Sequence, residues 1–301
     1  MNLRSIDLNL LVIFDALMSE RHVTRAARRV AMSQPAMSNA LSRLRHIFKD
    51  ELFVRTAGRM EPTPRALELG ASVQQILRQA ERLMATDVAF DPQTSDREFH
   101  ARLSDLVSYL ALPRIMQQLR SQAPQMTLNI VHTPPDETLK ALESDELDFA
   151  LSMELDHSKS IRSAPLFEDQ MCCVMCADHP LAGSNLTMAR FLRYRHMRVA
   201  MSPTDIRFVD HVLVQSGKRR HVALTVPHWL LVPRTLIGTD LLAVVSGKLA
   251  HEFTAAGRIV AKPLPFDSAP FKWQIYWHRR YDKSTAHAWL RQVVLSACSA
   301  L

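Results

Sequence analysis

Positive side chains are concentrated in one short segment near the amino terminus. Seven Lys or Arg residues and no Asp or Glu lie between Arg21 and Lys49. Apolar residues recur inside this segment at three- and four-residue steps, so we expect it to fold as helices instead of forming a disordered basic tail. Cations held on a folded surface can neutralise the phosphates of nucleic acid, which makes DNA the leading partner.

Two helices joined by a tight turn account for the apolar positions of this segment. The turn is Ala31-Met32-Ser33, where the Ser33 hydroxyl can cap the second helix and Pro35 suits its first turn. The pattern predicts a helix-turn-helix, with an ordinary basic helical hairpin as the alternative. The apolar faces are Val23, Ala26, Ala27 and Val30 in the first helix, and Met37, Ala40, Leu41, Leu44 and Phe48 in the second.

The outward face of the second helix carries side chains that can contact DNA. Gln and Asn can bond adenine edges, while Arg suits guanine or phosphate. A hairpin follows around the turn Ala57-Gly58-Arg59, so Arg55 and Arg59 would lie near the tip of a wing. The predicted DNA-binding residues are Arg28, Ser33, Gln34, Pro35, Ser38, Asn39, Ser42, Arg43, Arg55 and Arg59.

A long amphipathic helix is predicted from Pro64 to about Ala89. Roughly 26 residues at 1.5 Å each would span about 39 Å. The apolar residues step alternately by three and four, which is typical of a coiled-coil seam. This seam either packs onto its own domain or, in the favoured interpretation, forms a dimer that pairs two recognition helices. The residues assigned to dimerisation are Leu69, Val73, Ile76, Ala80 and Leu83.

From Arg97 onward, short apolar segments alternate with helical ones. This alternation is typical of parallel α/β sheets, and about 200 residues is large for a single sheet. Strands are predicted near 98–103, 127–132, 147–153, 170–177, 196–201, 221–226, 241–245 and 270–278. Helices are predicted near 106–121, 136–144, 187–193, 206–216, 229–237, 246–253 and 284–298.

Polar residues follow three of these strands at the points where a helix begins. Free N–H groups at a helix start suit an anion such as a carboxylate, and a tryptophan at one junction would add an aromatic wall. Each of these residues is alternatively a plain helix cap. The predicted effector-binding residues are Ser104, Asp105, Ser202, Thr204, His228 and Trp229.

The four cysteines leave two interpretations open. Cys172, Cys173 and Cys176 stand together, with one C-x-x-C and with Met and His residues nearby, which would suit a soft metal or a redox pair. The same segment is a good buried strand, in which free Cys and Met are ordinary apolar fillers. We favour the structural interpretation and predict no metal and no cofactor.

Catalytic motifs are absent from the sequence. It contains no G-x-S-x-G, P-loop, G-x-G-x-x-G or H-E-x-x-H pattern. Only seven glycines occur in 301 residues, so loops that could cradle a phosphate are scarce. We therefore predict that the protein is not an enzyme.

Length and charge fit a soluble protein that meets nucleic acid. A chain of 301 residues, 47% of them hydrophobic, can form two or three domains with real cores. Its net charge is +7, and residues 1–65 hold 11 basic against six acidic side chains. No signal peptide is visible, and no apolar run approaches the ~18 residues of a membrane helix. We expect a cytoplasmic protein without membrane contact.

The motifs of residues 1–65 together resemble the winged helix-turn-helix of LysR-type transcriptional regulators, and the resemblance extends along the chain. The closing segments Trp277-His278-Arg279-Arg280-Tyr281-Asp282 and His287-Ala288-Trp289-Leu290-Arg291 are similar to the subgroup of nodulation and aromatic-degradation activators. The amino-terminal matches are Asp7-Leu8-Asn9-Leu10-Leu11, Ala26-Ala27, Ser33-Gln34-Pro35-Ala36-Met37-Ser38, Leu44-Arg45, Leu52-Phe53-Val54-Arg55 and Thr63-Pro64-Arg65-Ala66.

The resemblance implies an α/β fold with a definite domain order. A winged helix-turn-helix would occupy residues 1–65, followed by a linker and dimerisation helix at 66–90. Residues 91–301 would form a bilobal effector-binding domain like periplasmic solute-binding proteins. Its first lobe would hold about 97–165 and 268–301, and its second lobe about 166–267.

The resemblance also implies a function. The protein would be a DNA-binding transcriptional regulator that senses a small organic acid, with aromatic acids as first candidates, in the cleft between the lobes. It would act as a homotetramer on promoter or operator DNA, as an activator, with RNA polymerase as a further candidate partner. The alternative is an inducer-independent repressor or DNA-bending protein with a vestigial cleft.

Overall fold

The computed structural model describes residues 7–56, 59–84, 90–131, 133–200, 208–299 and 301. The chain divides into two compact units, Met1–Ala89 and Phe90–Leu301. Among the described residues, no helix is long and apolar enough to cross a membrane.

The amino-terminal unit is a winged helix-turn-helix, as the sequence predicts. Its elements are α1 (Asn9–Glu20), α2 (Val23–Arg29), α3 (Gln34–Phe48), β1 (Phe53–Thr56), β2 (Arg59–Pro62) and α4 (Pro64–Met84). The Ser33 hydroxyl accepts a hydrogen bond from the Ala36 N–H at 3.3 Å and so begins α3, with Pro35 in its first turn. The predicted cap and the predicted first turn are therefore both present.

The turn between α2 and α3 contains a residue in the left-handed region. Ala31 has a φ of 53°, and the neighbouring Met32 N–H donates to the Ala27 carbonyl at 2.8 Å. A Cβ in this conformation costs about 1–2 kcal/mol, which the packing of the two helices must offset. The turn therefore depends on the core beneath it, and it fixes the direction in which α3 leaves.

Aromatic and aliphatic side chains join α1, α3 and the hairpin in one core. Phe14 of α1 is fully buried, and its ring centroid lies 5.7 Å from that of Phe53 in β1. Met37 and Leu44 bring the inner face of α3 into the same cluster. Burying each such side chain contributes ~1.5–3 kcal/mol. This packing holds α3 by one face and leaves the other face to solvent.

The helix α4 lies partly against its own unit. Ala66 and Val73 are buried in the same core as α1, and Leu69 is partly buried beside them. Ile76 is 48% exposed, and Ala80 is half-buried. The side chain of Leu83 lies outside the described residues. The apolar seam is therefore divided, because one part packs internally and Ile76 faces outward.

The carboxy-terminal unit is built on two five-stranded sheets. The first sheet has the order β4-β3-β5-β12-β6, and the second has the order β11-β7-β10-β8-β9. We call each sheet with its helices a lobe. The first lobe contains β3 (Glu98–Arg102), α5 (Asp105–Gln122), β4 (Thr127–Val131), α6 (Pro135–Glu143), β5 (Phe149–Met153), β6 (Ile161–Asp169), β12 (Phe271–His278) and α11 (Thr285–Cys298). The second contains β7 (Met171–Cys176), α7 (Met188–Arg193), β8 (Arg195–Val199), α8 (Phe208–Gln215), β9 (His221–Val226), α9 (Val232–Leu236), β10 (Leu242–Ser246), α10 (Gly247–Thr254) and β11 (Ile259–Pro263).

Both sheets are mixed, which corrects the expectation of purely parallel sheets. In the first lobe β3 pairs in parallel with β4 and β5, but β12 runs antiparallel to β5 and β6. The chain leaves this lobe after β6 and comes back as β12, so the two strands run in opposite directions. The predicted strands also lacked β6 and β11.

A single apolar cluster extends through both lobes. Leu106 and Val107 at the start of α5 belong to the same cluster as Val232 and Leu236 of α9. Val245 of β10 joins it from the second sheet. The described parts of the two lobes are therefore held together by buried apolar surface as well as by the two chain connections.

Candidate nucleic-acid interface and effector cleft

The outward face of α3 presents a row of exposed polar side chains. Gln34, Asn39, Ser42 and Arg43 are exposed, as are Ser33 and Pro35 at the start of the helix. Ser38 is half-buried, and its hydroxyl accepts a hydrogen bond from Gln34 Nε2 at 2.8 Å. This bond aligns the first two polar residues of α3 side by side. The predicted base-reading residues therefore share one solvent-facing surface.

Some arginines of the basic segment form ion pairs within the amino-terminal unit itself. Arg25 and Arg29 form ion pairs with acidic residues of α1, at 3.3 Å from Glu20 and at 3.9 Å from Asp15 respectively. These exposed pairs orient the arginines and are each worth ~0–1 kcal/mol. Arg28 is exposed on the same helix α2. Arg25 and Arg29 therefore have protein partners that were not visible in the sequence.

Arg45 fastens the hairpin to α3. Its Nε donates to the Glu51 carbonyl and its Nη2 donates to the Phe53 carbonyl, each at 2.8 Å. Its position three residues before the end of α3 gives no sign of this role, because one carbonyl belongs to the segment after α3 and the other to β1. Arg45 is therefore a positioning residue that the sequence analysis did not separate from the other cations.

The hairpin places two predicted contacts near its end. β1 and β2 pair antiparallel, with Arg55 opposite Met60 and Thr56 opposite Arg59. Arg55 and Arg59 are exposed. The turn residues Ala57 and Gly58 lie outside the described residues. The register therefore presents both cations at the same end of the hairpin.

Asp50 ties the end of α3 to the start of α4. Its carboxylate accepts hydrogen bonds from the Thr63 hydroxyl and the Leu52 N–H, each at 2.7 Å. These two bonds hold the pKa of Asp50 below its ordinary value. Thr63 in turn caps α4 through the Ala66 N–H at 3.1 Å. One carboxylate thus organises the wing and the linker helix together.

The predicted effector residues Asp105 and Trp229 meet in the structure. Asp105 Oδ2, at the start of α5 in the first lobe, accepts a hydrogen bond of 2.6 Å from the backbone N–H of Trp229 in the second lobe. Its other oxygen, Oδ1, is buried and has no hydrogen-bond partner among the described residues. The carboxylate therefore connects the two lobes directly.

The other predicted effector residues have different surroundings. Ser104 caps α5 through the Val107 N–H at 3.4 Å, which is the plain capping role that the sequence left open. His228 is exposed beside Trp229, whose ring is half-buried against the shared core. Ser202 and Thr204 lie outside the described residues. The structure thus brings together residues from two of the three predicted junctions.

A buried arginine at the same edge of the first sheet escaped the sequence analysis. Arg102 is 4% exposed and donates from Nε to the Thr133 carbonyl at 3.1 Å and from Nη1 to the Leu151 carbonyl at 3.2 Å. The hydroxyl of Thr133 is buried and has no hydrogen-bond partner within the described part of the chain. The sequence carried one sign of this buried residue, an arginine at the end of an otherwise buried strand. A charge in such a place requires hydrogen-bond or ion-pair partners.

Three of the four cysteines are buried. Cys173, Cys176 and Cys298 are buried and Cys172 is half-buried. Desolvation raises the pKa of Cys172 to about 12 and that of Cys298 to about 11, and it raises the pKa of Cys173 further. Because the thiolate is the reactive form, these values oppose redox reactivity at neutral pH. The surroundings support the interpretation of these cysteines as core residues.

Comparisons with known proteins identify both units. Residues 8–67 match the family of bacterial regulatory helix-turn-helix proteins of the lysR family, and residues 94–299 match the LysR substrate binding domain. The chain is 35% identical over 294 residues to the HTH-type transcriptional activator NahR of Pseudomonas putida, covering 98% of each chain. It is 33% identical to Nodulation protein D of Rhizobium leguminosarum bv. trifolii, covering all of this chain and 95% of that protein.

A solved structure agrees over nearly the whole length. The crystal structure of a probable transcriptional regulator from Pseudomonas aeruginosa superposes with a TM-score of 0.81 at 34% identity, covering 97% of each chain. Helix-turn-helix, wing and two-lobed domain thus occur together in this protein as in its relatives. The chain belongs to the LysR family and is a LysR-type transcriptional regulator, not an enzyme.

Proposed function

We propose that this regulator binds promoter DNA through α3 and the β1–β2 hairpin. The observation that carries the proposal is the row of exposed polar residues on α3, held in place by a fully buried inner face. A helix of this kind fits the major groove, where Gln34 and Asn39 can read base edges. Arg28, Arg43, Arg55 and Arg59 supply the phosphate contacts. Since DNA is the partner, we infer that the protein works in the cytoplasm.

A dimer, and from it a tetramer, would place several recognition helices on one promoter. Ile76 of α4 is 48% exposed although it belongs to the apolar seam, which favours a partner helix at that point. Leu69 and Ala80 are only partly buried in the single chain. By analogy with NahR, which is described as a transcriptional activator, we infer that this regulator activates its promoter and can contact RNA polymerase.

We further propose that a small organic acid, first among them aromatic acids, binds between the lobes. The edge that would receive it carries Ser104, Asp105, Arg102 and Thr133 from the first lobe, with His228 and Trp229 from the second. The hydrogen bond that the Trp229 backbone N–H donates to Asp105 makes the lobe arrangement sensitive to a ligand at this point. A ligand that prefers one arrangement shifts the population by no more than that preference.

Calorimetry on the full-length chain with benzoates, salicylates and flavonoids tests this proposal. For a ligand found to bind, Ser104→Ala together with His228→Ala should weaken the affinity, by ~0.5–1.5 kcal/mol for each neutral hydrogen bond removed. Ser184→Ala, at a half-buried position between β7 and α7 of the second lobe, is the matched control and should bind as the parent does. An inducer whose affinity is the same in the parent and in the Ser104/His228 double variant would refute this placement.

The alternative is an inducer-independent DNA-binding repressor or DNA-bending protein. Two observations favour it: the lobes already share a continuous apolar cluster, and Asp105 already accepts a hydrogen bond from the Trp229 backbone. In that case no member of the ligand panel would bind, while promoter binding would be unaffected. The two functions therefore separate in the same calorimetric experiment.

A further inference from the structure

The chain turns sharply twice between α3 and the long helix α4. Lys49, at the end of α3, has a φ of 51°, and Leu52, just before β1, has a φ of 56°. Residues other than glycine seldom adopt this left-handed conformation, and they keep it where the surrounding contacts hold the backbone in place. The segment after α3 is therefore a defined part of the fold and not a loose connection.

A series of hydrogen bonds ties this segment to the first turn of α4. The Ala66 N–H donates to the Thr63 hydroxyl at 3.1 Å, and that hydroxyl donates to Asp50 Oδ1 at 2.7 Å. The same carboxylate oxygen accepts from the Leu52 N–H at 2.7 Å, and the Thr63 N–H donates to the Leu52 carbonyl at 2.9 Å. Directional bonds thus connect the start of α4 to the end of α3.

The other contacts of α4 within this unit fix its direction less closely. Ala66 and Val73 are buried in the core that includes α1. Apolar attraction is not directional, so it determines which face is covered without setting one angle. Gln74 donates to Asp15 of α1 at 3.1 Å, but this bond lies at the surface. Loss of the bonds at Thr63 should therefore leave α4 packed while it widens the range of angles at its first turn.

A small change of that angle matters because the proposed partner contact lies far along the helix. Ile76 is about 18 Å from Pro64 along the axis, at roughly 1.5 Å per residue. A tilt of about 10° would displace the DNA-binding surface by about 3 Å relative to the partner helix, close to the ~3.4 Å rise of one base pair. The direction of α4 therefore contributes to the distance between two recognition helices.

We propose that Asp50 and Thr63 are positioning residues for DNA binding, which set the angle between α3 and α4 and so the half-site spacing that a dimer accepts. A half-site is the stretch of DNA read by one recognition helix, and the spacing of two half-sites has to match that of the two helices. This inference rests on the proposed roles of α3 in DNA binding and of Ile76 in the dimer.

Affinity measured against half-site spacing with the full-length chain tests the inference. The probe is a two-fold symmetric duplex that the parent chain selects from random DNA, with single base pairs then inserted or deleted at its centre. The parent should lose affinity about tenfold for a change of one base pair, since this also rotates one half-site by roughly 34°. Thr63→Val keeps the shape of the side chain without its hydroxyl. This variant and Asp50→Ala should reduce the difference to about threefold or less.

Two further variants separate positioning from a general loss of stability. Thr63→Ser keeps the hydroxyl and should keep the spacing preference of the parent. The double variant of Asp50→Ala with Thr63→Val breaks the same series of bonds as either single variant, so its profile should be the same as theirs. A purely structural role would instead lower the affinity equally at every spacing and leave the preference unchanged.

The outcomes distinguish this inference from the proposed function on which it rests. The spacing profile of the parent in Thr63→Val and Asp50→Ala, both verified as folded by circular dichroism, would overturn the inference alone. Thr63→Val decides by itself if Asp50→Ala does not fold, because it removes only one hydroxyl. A parent chain that selects no symmetric duplex or shows no preferred spacing would overturn the proposed dimer on DNA as well.

Discussion

The two units place their functional polar groups in opposite environments. In the amino-terminal unit the proposed DNA contacts are exposed, and Gln34 has a partner only four positions away, in Ser38. In the carboxy-terminal unit Arg102 is buried, and Asp105 bonds Trp229 from 124 positions away. Exposed groups can alter binding without altering stability, whereas buried groups affect both. Substitutions in the two units should therefore produce different patterns of loss.

The largest expected difference in stability is between two residues of the apolar seam on α4, the buried Val73 and the exposed Ile76. Val73→Asp places a charge in the core of the amino-terminal unit and should lower its free energy of unfolding by about 3–5 kcal/mol. Ile76→Asp should change that free energy by less than about 0.5 kcal/mol, because the side chain is 48% exposed. Chemical denaturation followed by circular dichroism measures both.

The same pair tests the dimer. If the exposed part of α4 meets a partner helix, light scattering should show a smaller species for Ile76→Asp while the unit remains folded. A parent-like mass and parent-like operator affinity for that variant would mean that Ile76 is not in the interface. Equal stability of the two variants would mean that Val73 is not buried as described.

Acid should destabilise the carboxy-terminal unit before the amino-terminal one. Burial lowers the pKa of His196 to about 4 from an ordinary value of 6.5. The unfolded chain therefore takes up this proton first, and stability falls as the pH drops from about 6.5 to about 4, by ~3 kcal/mol. The shifted Asp50 of the other unit loses its contribution only below its ordinary pKa of 3.8.

Tryptophan fluorescence measures this effect in one unit alone, because all four tryptophans lie between Trp229 and Trp289. Denaturant titrations at pH 7 and pH 4.5 should show the loss in the parent chain. His196→Gln keeps a donor for the Phe191 carbonyl, which lies 2.8 Å from Nε2, but has no proton to gain in this range. An equal loss in that variant would assign the acid effect to other groups.

Local patterns in the sequence predicted the amino-terminal unit well. The periodicity of α2 and α3, the Ser33 cap and the turn at Ala31 all involve residues within a few positions of one another. The seam of α4 was less decisive, because the same heptad spacing fits an internal partner at Val73 and an external one at Ile76. A periodic pattern shows which face is apolar without naming what covers it.

Long-range pairing explains what the sequence did not reveal in the other unit. β6 contains Pro165 and several polar residues, so it resembles a connection until β12 pairs along its whole length. The group of Arg102, Thr133 and Asp105 forms only when β3 and β4 lie side by side. The link between Asp105 and Trp229 joins two lobes, so it depends on the packing of elements far apart in the chain.

Substitutions at the exposed arginines of the proposed DNA-binding surface should change the stability least and DNA binding most. Arg43→Ala removes one ion pair with Asp7, 3.2 Å away and exposed, which is worth ~0–1 kcal/mol. Arg55→Ala removes an exposed side chain at the end of the hairpin. Both variants should therefore keep the parent unfolding transition while losing a phosphate contact.

A salt titration of DNA binding tests the central claim most directly. The probe is the DNA immediately upstream of the regulator's own gene, with fluorescence anisotropy as the readout for the full-length chain. Arg43→Ala and Arg55→Ala should each weaken binding and reduce the slope of log K against log salt by about one unit, as expected for one lost phosphate contact. Arg193→Ala, an exposed cation of α7, should leave the slope unchanged. Parent affinity and parent slope in both folded variants would contradict the assignment of α3 and the hairpin as the DNA-binding surface.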